Sequence, residues 1–125
     1  MAGTGTSDVG QFSVTVDERD GVSVVRVVGE LDVFSVGTLR ESLDDVVIDA
    51  VGTTNLVVDL TGLTFMDSSG LGALVRTQKK VRVLRGTFGV VCCEGPVLRL
   101  LTLTGLTHVL RVSETVDAAI AKAQP

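Results

Sequence analysis

Residues 56–60, Leu56-Val57-Val58-Asp59-Leu60, form a short apolar run without alternation. A strand with one wet face alternates apolar and polar side chains, so a continuous run suits a strand covered on both faces. Covering both faces calls for helices on each side of a mostly parallel sheet. The flanking sequence supplies the remaining parts. Phe12, Val14 and Val16 alternate with Ser13, Thr15 and Asp17, the period of a half-buried strand. Glu18-Arg19-Asp20-Gly21 signals a turn, and residues 22–28 form a Val-rich strand, so the two make an antiparallel hairpin. Gly29-Glu30-Leu31-Asp32 then breaks the second strand. Residues 87–92 read as another buried strand and 109–112 as a last one.

Between the strands the period changes to that of helices. Leu39, Leu43, Val46, Val47 and Ala50 recur at spacings of three and four behind Ser35, a suitable N-cap, with Gly52 and Asn55 closing the helix. Leu71, Leu74, Val75 and Val81 make a second inward stripe. Arg76, Lys79, Lys80, Arg82 and Arg85 place positive charge toward its C-terminal end, with Gly86 as the C′ residue. Pro96 suits the first turn of a helix over residues 96–103, ended by Gly105. Ser113 caps a final helix whose inward residues are Val116, Ala119 and Ile120. The expected fold is α/β: a mixed, mostly parallel sheet of about five strands with about four helices, in the order ββαβαβαβα. At 125 residues it is a single domain, taken as 11–125 behind a flexible tail over residues 1–10.

A net charge of −4 argues against a nucleic-acid or anionic-membrane binder, which would need a basic footprint. No apolar run approaches the roughly 20 residues of a spanning helix, and the first residues lack the basic and apolar regions of a signal peptide. Cys92 and Cys93 are adjacent, so on a strand they point to opposite faces and are expected as free thiols in a reducing cytoplasm.

The most densely functionalised stretch is Thr64-Phe65-Met66-Asp67-Ser68-Ser69-Gly70-Leu71-Gly72. It falls where a buried strand passes into an amphipathic helix, the kind of edge where sites gather in open α/β sheets. A helix N-terminus carries unpaired N–H groups and about half a positive charge. Asp67 or Ser68 can cap it, and Gly70 and Gly72 allow close approach of a backbone or a phosphate. Phosphate on Ser68 would add about −1.5 to −2 charges at a helix end that tolerates them. The plainer reading is that Asp67, Ser68 and Ser69 only cap the helix. G-x-S-x-G is absent, as is the lysine of a phosphate loop. The one histidine, His108, is far along the chain and reads as structural.

These segments resemble the STAS-domain family, specifically the stand-alone bacterial anti-sigma factor antagonists. The resemblance rests on Gly29-Glu30-Leu31-Asp32, on Leu56-Val57-Val58-Asp59-Leu60 and above all on Phe65-Met66-Asp67-Ser68-Ser69-Gly70-Leu71-Gly72. A weaker echo runs over residues 98–106, and together the matches extend from about Phe12 to Ile120. The resemblance implies a phosphorylation switch. The unphosphorylated antagonist binds an anti-sigma factor that is also a serine kinase, which frees a sigma factor. The kinase phosphorylates the first serine after the aspartate, and a serine phosphatase restores it. Carried across, Ser68 is the acceptor, Asp67 its neighbour, and Ser69 the second, unmodified serine. Gly29, Glu30, Leu31 and Asp32 form the adjoining docking loop, with Gly70 and Gly72 completing the partner surface. The resemblance implies no catalytic residue, no metal and no cofactor, since ATP belongs to the kinase. A monomer or weak dimer is expected.

Two other readings stay open. One is a STAS scaffold or constitutive binding module. The other is a redox role for Cys92 and Cys93, weakened by Glu94, whose charge would not favour a thiolate. The basic residues from Arg76 to Arg85 read as a solvated helix face, or as a contact for a nucleotide or acidic partner.

Overall fold

The computed structural model describes residues 5–9, 11–50 and 53–123. The elements are β1 (Gly5–Val9), β2 (Phe12–Arg19), β3 (Val22–Leu31), α1 (Val36–Asp49), β4 (Asn55–Met66), α2 (Ser68–Val83), β5 (Thr87–Val91), α3 (Pro96–Leu103), β6 (Val112–Ser113) and α4 (Val116–Ala123). They build one six-stranded sheet in the spatial order β1-β2-β3-β4-β5-β6. The pairs β1–β2 and β2–β3 are antiparallel, and those from β3 to β6 are parallel. The nine expected elements occur in the expected order, with β1 added before them.

Local chemistry sets the hairpin. Asp20 and Gly21 have φ values of 54° and 77°, and Arg19 pairs with Val22. A two-residue turn with both central residues at positive φ matches the twist of paired strands, and Asp-Gly is a favoured sequence for it. The run at residues 56–60 behaves as its composition requires. Leu56, Val58 and Leu60 join the larger core with Leu39 and Leu43 of α1, Leu74 and Val81 of α2, and Val97 and Leu101 of α3. Val57 faces the other way, into a smaller cluster with Val22, Val24, Val91 and the α4 residues Ala119, Ile120 and Ala123. Asp59 is buried within this apolar strand, and its carboxylate accepts hydrogen bonds from the Thr61 amide (2.9 Å) and hydroxyl (2.7 Å).

Several boundaries differ from expectation. Residues 5–9 of the supposed flexible tail pair with β2 from Gly5↔Val16 to Val9↔Phe12. Residues 1–4 and 10 of that tail, and Gly52 with its proposed helix-closing role, lie outside the described residues. Gly29-Glu30-Leu31 does not break β3, which continues to Leu31 because β4 runs beside it to Met66. At the end of α2 the left-handed residue is Arg85 (φ 61°), not Gly86. Gly86 is needed for space, since a β-carbon there would overlap the Thr54 carbonyl oxygen. The expected strand over 109–112 is mostly turn, and pairing with β5 involves only Val112 and Ser113. Ser113 therefore lies in β6 and accepts a hydrogen bond from Lys122 (3.1 Å), while the Thr115 hydroxyl accepts from the Ala118 amide and caps α4.

Candidate functional site

Strands β3 and β4 end side by side, with Glu30 opposite Phe65 and Leu31 opposite Met66. The chains leaving them are therefore neighbours. The Asp67 amide donates to the Leu31 carbonyl (3.2 Å), tying the start of α2 to the end of β3. The pairing of β3 with β4 shifts register between Arg26 and Val28 and again between Gly29 and Glu30. Gly29 has φ 111°, and a β-carbon there would come within 3.0 Å of the Gln11 carbonyl oxygen and 3.1 Å of Phe12 Cα. Only glycine satisfies both the conformation and the close approach to β2.

After β3 the chain closes on itself. Asp32 Oδ1 accepts from the amides of Phe34 (2.9 Å) and Ser35 (3.1 Å). The Ser35 hydroxyl donates to the Glu30 carbonyl (2.7 Å) and accepts from the Asp32 amide (3.0 Å). Ser35 precedes α1, yet its side chain caps no amide of that helix, because the hydroxyl is committed backward to the loop. This network fixes a short turn that holds Val33 and Phe34 outward, Phe34 with 88% of its surface exposed.

Asp67 is extended (φ −109°, ψ −170°), and its Oδ1 accepts from the Ser69 amide at 2.8 Å. Of the two candidate caps, the aspartate holds the role. Ser68, the first residue of α2, is exposed, and its hydroxyl makes no hydrogen bond to another described residue. The amides of Ser68 and Gly70 lie in the first turn of α2, where no carbonyl of the helix itself can accept from them. Gly72 lies one turn beyond Ser68 on the same face, is exposed, and would place a β-carbon in open space.

Of the residues expected from sequence, the fold thus brings Gly29–Asp32 and Asp67–Gly72 to one end of the sheet. They divide by burial. Ser68, Gly72 and Glu30 are exposed, and Asp32, Asp67, Ser69 and Gly29 are half-buried. Leu31 and Gly70 were expected on the partner surface but are buried beneath it. Leu31 is fully inaccessible, and a β-carbon on Gly70 would come within 2.7 Å of both Leu31 Cδ2 and Met66 Cγ. Gly70 sets how closely α2 seats on the strand ends, and Leu31 is the surface it seats on.

Val33 and Phe34 were not among the sequence candidates, and Phe65 entered only as part of the stretch that carries the resemblance. The chain has four phenylalanines. Phe12 and Phe88 are buried, while Phe34 and Phe65 are exposed on the two segments that meet at this end. The usable signal was the pair Val33-Phe34, placed in a loop after a strand has ended.

The other sequence candidates lie elsewhere. His108 is exposed in the turn before β6, at the sheet end opposite Ser68. Cys92 and Cys93 are free, the first buried and the second exposed. Burial, with the neighbouring Cys93 and Asp59 charges, pushes the Cys92 thiol up to about 11, which disfavours the thiolate that redox chemistry needs. Arg76 (3.4 Å) and Lys80 (3.0 Å) both reach Asp44 of α1, so part of the basic face is a clamp between helices. Among the described residues no helix is long and apolar enough to cross a membrane, and no group of three or more His, Cys, Asp or Glu side chains converges as metal ligands would.

Comparison with known proteins agrees with this architecture. Residues 13–119 match the family model of the STAS domain. The chain is 34% identical over 109 residues to the anti-sigma-F factor antagonist RsfB of Mycobacterium tuberculosis, covering 87% of each protein. It is 30% identical to the anti-sigma-B factor antagonist of Bacillus subtilis, covering 87% of this chain and 97% of that one. A crystal structure of an anti-sigma factor antagonist from Mycobacterium paratuberculosis superposes with a TM-score of 0.82 at 32% identity, covering 95% of this chain and all of that one.

Proposed function

The chain belongs to the STAS-domain family, and from that premise we propose that it is an anti-sigma factor antagonist switched by phosphorylation of Ser68. Its unphosphorylated form binds an anti-sigma factor with serine kinase activity in the cytoplasm and so releases a sigma factor. Phosphorylation ends the binding, and a serine phosphatase restores it. The protein acts by binding and has no enzymatic activity of its own. The names of the relatives support the antagonist role. The observation that carries the switch is the division of labour at the start of α2. Asp67 occupies the cap with its carboxylate on the Ser69 amide, which leaves the Ser68 hydroxyl exposed and uncommitted. An acceptor serine must be reachable by a kinase and free to lose its proton.

The docking surface comprises Glu30, Asp32 and Gly72 around Ser68, together with the exposed Val33, Phe34 and Phe65. Asp67, Ser69, Gly29, Leu31 and Gly70 hold it in shape from below. Incubation with candidate anti-sigma kinases and ATP, followed by mapping of the modified residue, tests the acceptor. Ser68→Ala should retain binding to the kinase and Ser68→Asp should weaken it strongly. Equal affinity of the two folded variants, or phosphate on Ser69 instead, would refute the assignment and favour a constitutive STAS binding module.

A further inference from the structure

A cleft of about 520 Å³ opens at the end of the molecule remote from Ser68, between the last turns of α2, the start of β5, the turn before β6 and the end of α4. Its volume falls in the range of small-molecule sites. Its lining includes Arg82 of α2, Arg111 of the turn and Lys122 of α4, and no carboxylate among the described residues. None of these three cations is ion-paired with a described residue. Lys122 instead donates to the Ser113 hydroxyl at 3.1 Å. In a chain with 15 acidic and 11 basic residues, such a gathering needs a reason.

Helix dipoles explain only part of it. Arg82 and Lys122 stand in the last turns of α2 and α4, where a cation offsets the partial negative charge of the free carbonyls. Each helix end amounts to about half a charge, so the two ends leave about two of the three positive charges uncompensated. Arg111 belongs to neither helix. It sits at φ 53°, a conformation that disfavours any side chain with a β-carbon, while its backbone is held by Arg111 N–His108 O (3.1 Å) and Val90 N–Arg111 O (3.4 Å) bonds. That conformation closes the turn, with the Val112 amide on the Thr107 carbonyl (3.0 Å), as Arg85 does after α2, so what bears on the cleft is the charged Arg111 side chain in its lining. Phe88 and Val109 add an apolar wall, and the Thr107 side chain adds a hydroxyl.

We propose that this cleft binds a small organic molecule bearing two or more phosphate groups, held by Arg82, Arg111 and Lys122. Arginine forks and a lysine ammonium are the groups suited to phosphate oxygens, and two uncompensated charges call for a polyanion rather than a single carboxylate. The site is independent of the Ser68 switch, since Arg82 lies at the other end of α2, roughly 21 Å from Ser68 along the helix axis.

Amide NMR spectra of the full chain, titrated with inorganic pyrophosphate at constant ionic strength, test the proposal. Saturable shifts are expected at residues 107–112 and 86–88, without comparable shifts at 67–72. The double variant Arg111→Gln/Lys122→Gln should bind at least tenfold more weakly while keeping the wild-type spectrum elsewhere. If that variant is unfolded, Arg82→Gln alone, on an exposed helix end, should weaken binding at least threefold. Shifts that grow linearly without saturation, saturation confined to residues 67–72, or variants that bind as well as wild type would overturn the assignment. Binding of an oligo-aspartate peptide without binding of pyrophosphate would overturn it as well, in favour of an acidic protein partner.

Discussion

Two glycines in the first turns of α2 make opposite predictions for the same substitution. In an ordinary exposed helix Gly→Ala stabilises by up to about 1 kcal/mol, because glycine loses more backbone entropy on folding. Gly72 is exposed with nothing near the position of its missing β-carbon, so Gly72→Ala should realise that gain. Gly70 is buried, and an added β-carbon would come within 2.7 Å of Met66 Cγ and within 2.7 and 2.8 Å of Leu31 Cδ2 and Cγ. Ordinary carbon contacts need about 3.5–4.0 Å. The Leu31 branch point and the Met66 stem cannot swing aside, since both residues are buried and the Leu31 carbonyl anchors the Asp67 amide. Overpacking of this kind costs about 1–3 kcal/mol. Set against the propensity gain, it leaves Gly70→Ala about 1 kcal/mol less stable than wild type. Urea unfolding of the three proteins should move the midpoints in opposite directions, with the variants separated by about 2 kcal/mol. A Gly70→Ala protein as stable as Gly72→Ala would refute the close seating of α2 on β3. Gly72→Ala has a second readout, because its gain in stability should be accompanied by weaker binding of the kinase if a partner approaches closely on the Ser68 face.

Asp67→Ala removes the carboxylate that accepts from the Ser69 amide and should cost roughly 0.5–2 kcal/mol in urea unfolding, with Asp67→Asn recovering most of it. Phe34→Ser should leave stability within about 0.5 kcal/mol of wild type, since the ring is exposed, yet weaken kinase binding about tenfold by calorimetry. The hydrogen bond from Lys80, aided by Arg76, holds the Asp44 carboxyl below its ordinary value of 3.8 against the opposing effect of burial. A carboxylate depressed in the folded state contributes above its unfolded pKa and loses that contribution as pH falls through the folded one. All three side chains are partly exposed, so the solvent-screened contribution is at most about 1 kcal/mol. The stability gap between wild type and Asp44→Asn should therefore be present at pH 7 and close as pH falls below 3.8. A gap that stays constant to pH 2.5 would contradict the pairing.

The features legible in the sequence were those whose cause is local. The run at residues 56–60, the stripes Leu39-Leu43 and Leu71-Leu74-Val81, and the Asp20-Gly21 turn each carry their own periodicity or backbone preference. Strand β1 carries none. Gly5–Val9 reads Gly-Thr-Ser-Asp-Val, and it becomes a strand by offering backbone groups to the open edge of β2, which requires no side-chain pattern. Residues 109–112 failed for the opposite reason. Their apolar composition suits a strand, but the Leu110 amide bonds back to the Leu106 carbonyl and only Leu110 among residues 107–111 is buried. At the candidate site the polar centre was legible because Asp and Ser announce helix caps. The exposure of the apolar Val33, Phe34 and Phe65 was not, since an apolar residue in a sequence reads as core until the fold shows it exposed. Ser35 stands at the N-cap position of α1 as expected, but its hydroxyl oxygen accepts from the Asp32 amide behind it and from no amide of the helix, a loop contact that the sequence alone does not show.

In the proposed switch, the position of Ser68 would let one modification leave the fold intact and abolish a complex. Phosphate at the first residue of α2 brings about −1.5 to −2 charges. The helix end favours them by about 0.3–1 kcal/mol, more when partly buried. The neighbouring Asp67 carboxylate opposes them. In water a pair of unit charges 4 Å apart repels by about 1 kcal/mol and less when farther apart, so the opposition is of that order. The two effects nearly cancel, and the Asp67 bond to the Ser69 amide does not involve the Ser68 hydroxyl, so neither the cap nor the core would have to change. A docked partner faces a different balance. The surface around Ser68 exposes Val33, Phe34 and Phe65, side chains that would favour a complex only by leaving water. Excluding water from an adjacent phosphate costs several kcal/mol unless a cation meets it. The asymmetry depends on Asp67 rather than Ser68 holding the cap. Were the Ser68 hydroxyl itself the cap, bonded to an amide two or three residues on, phosphorylation would disturb that bond, and the switch would act on the helix as well as on the partner.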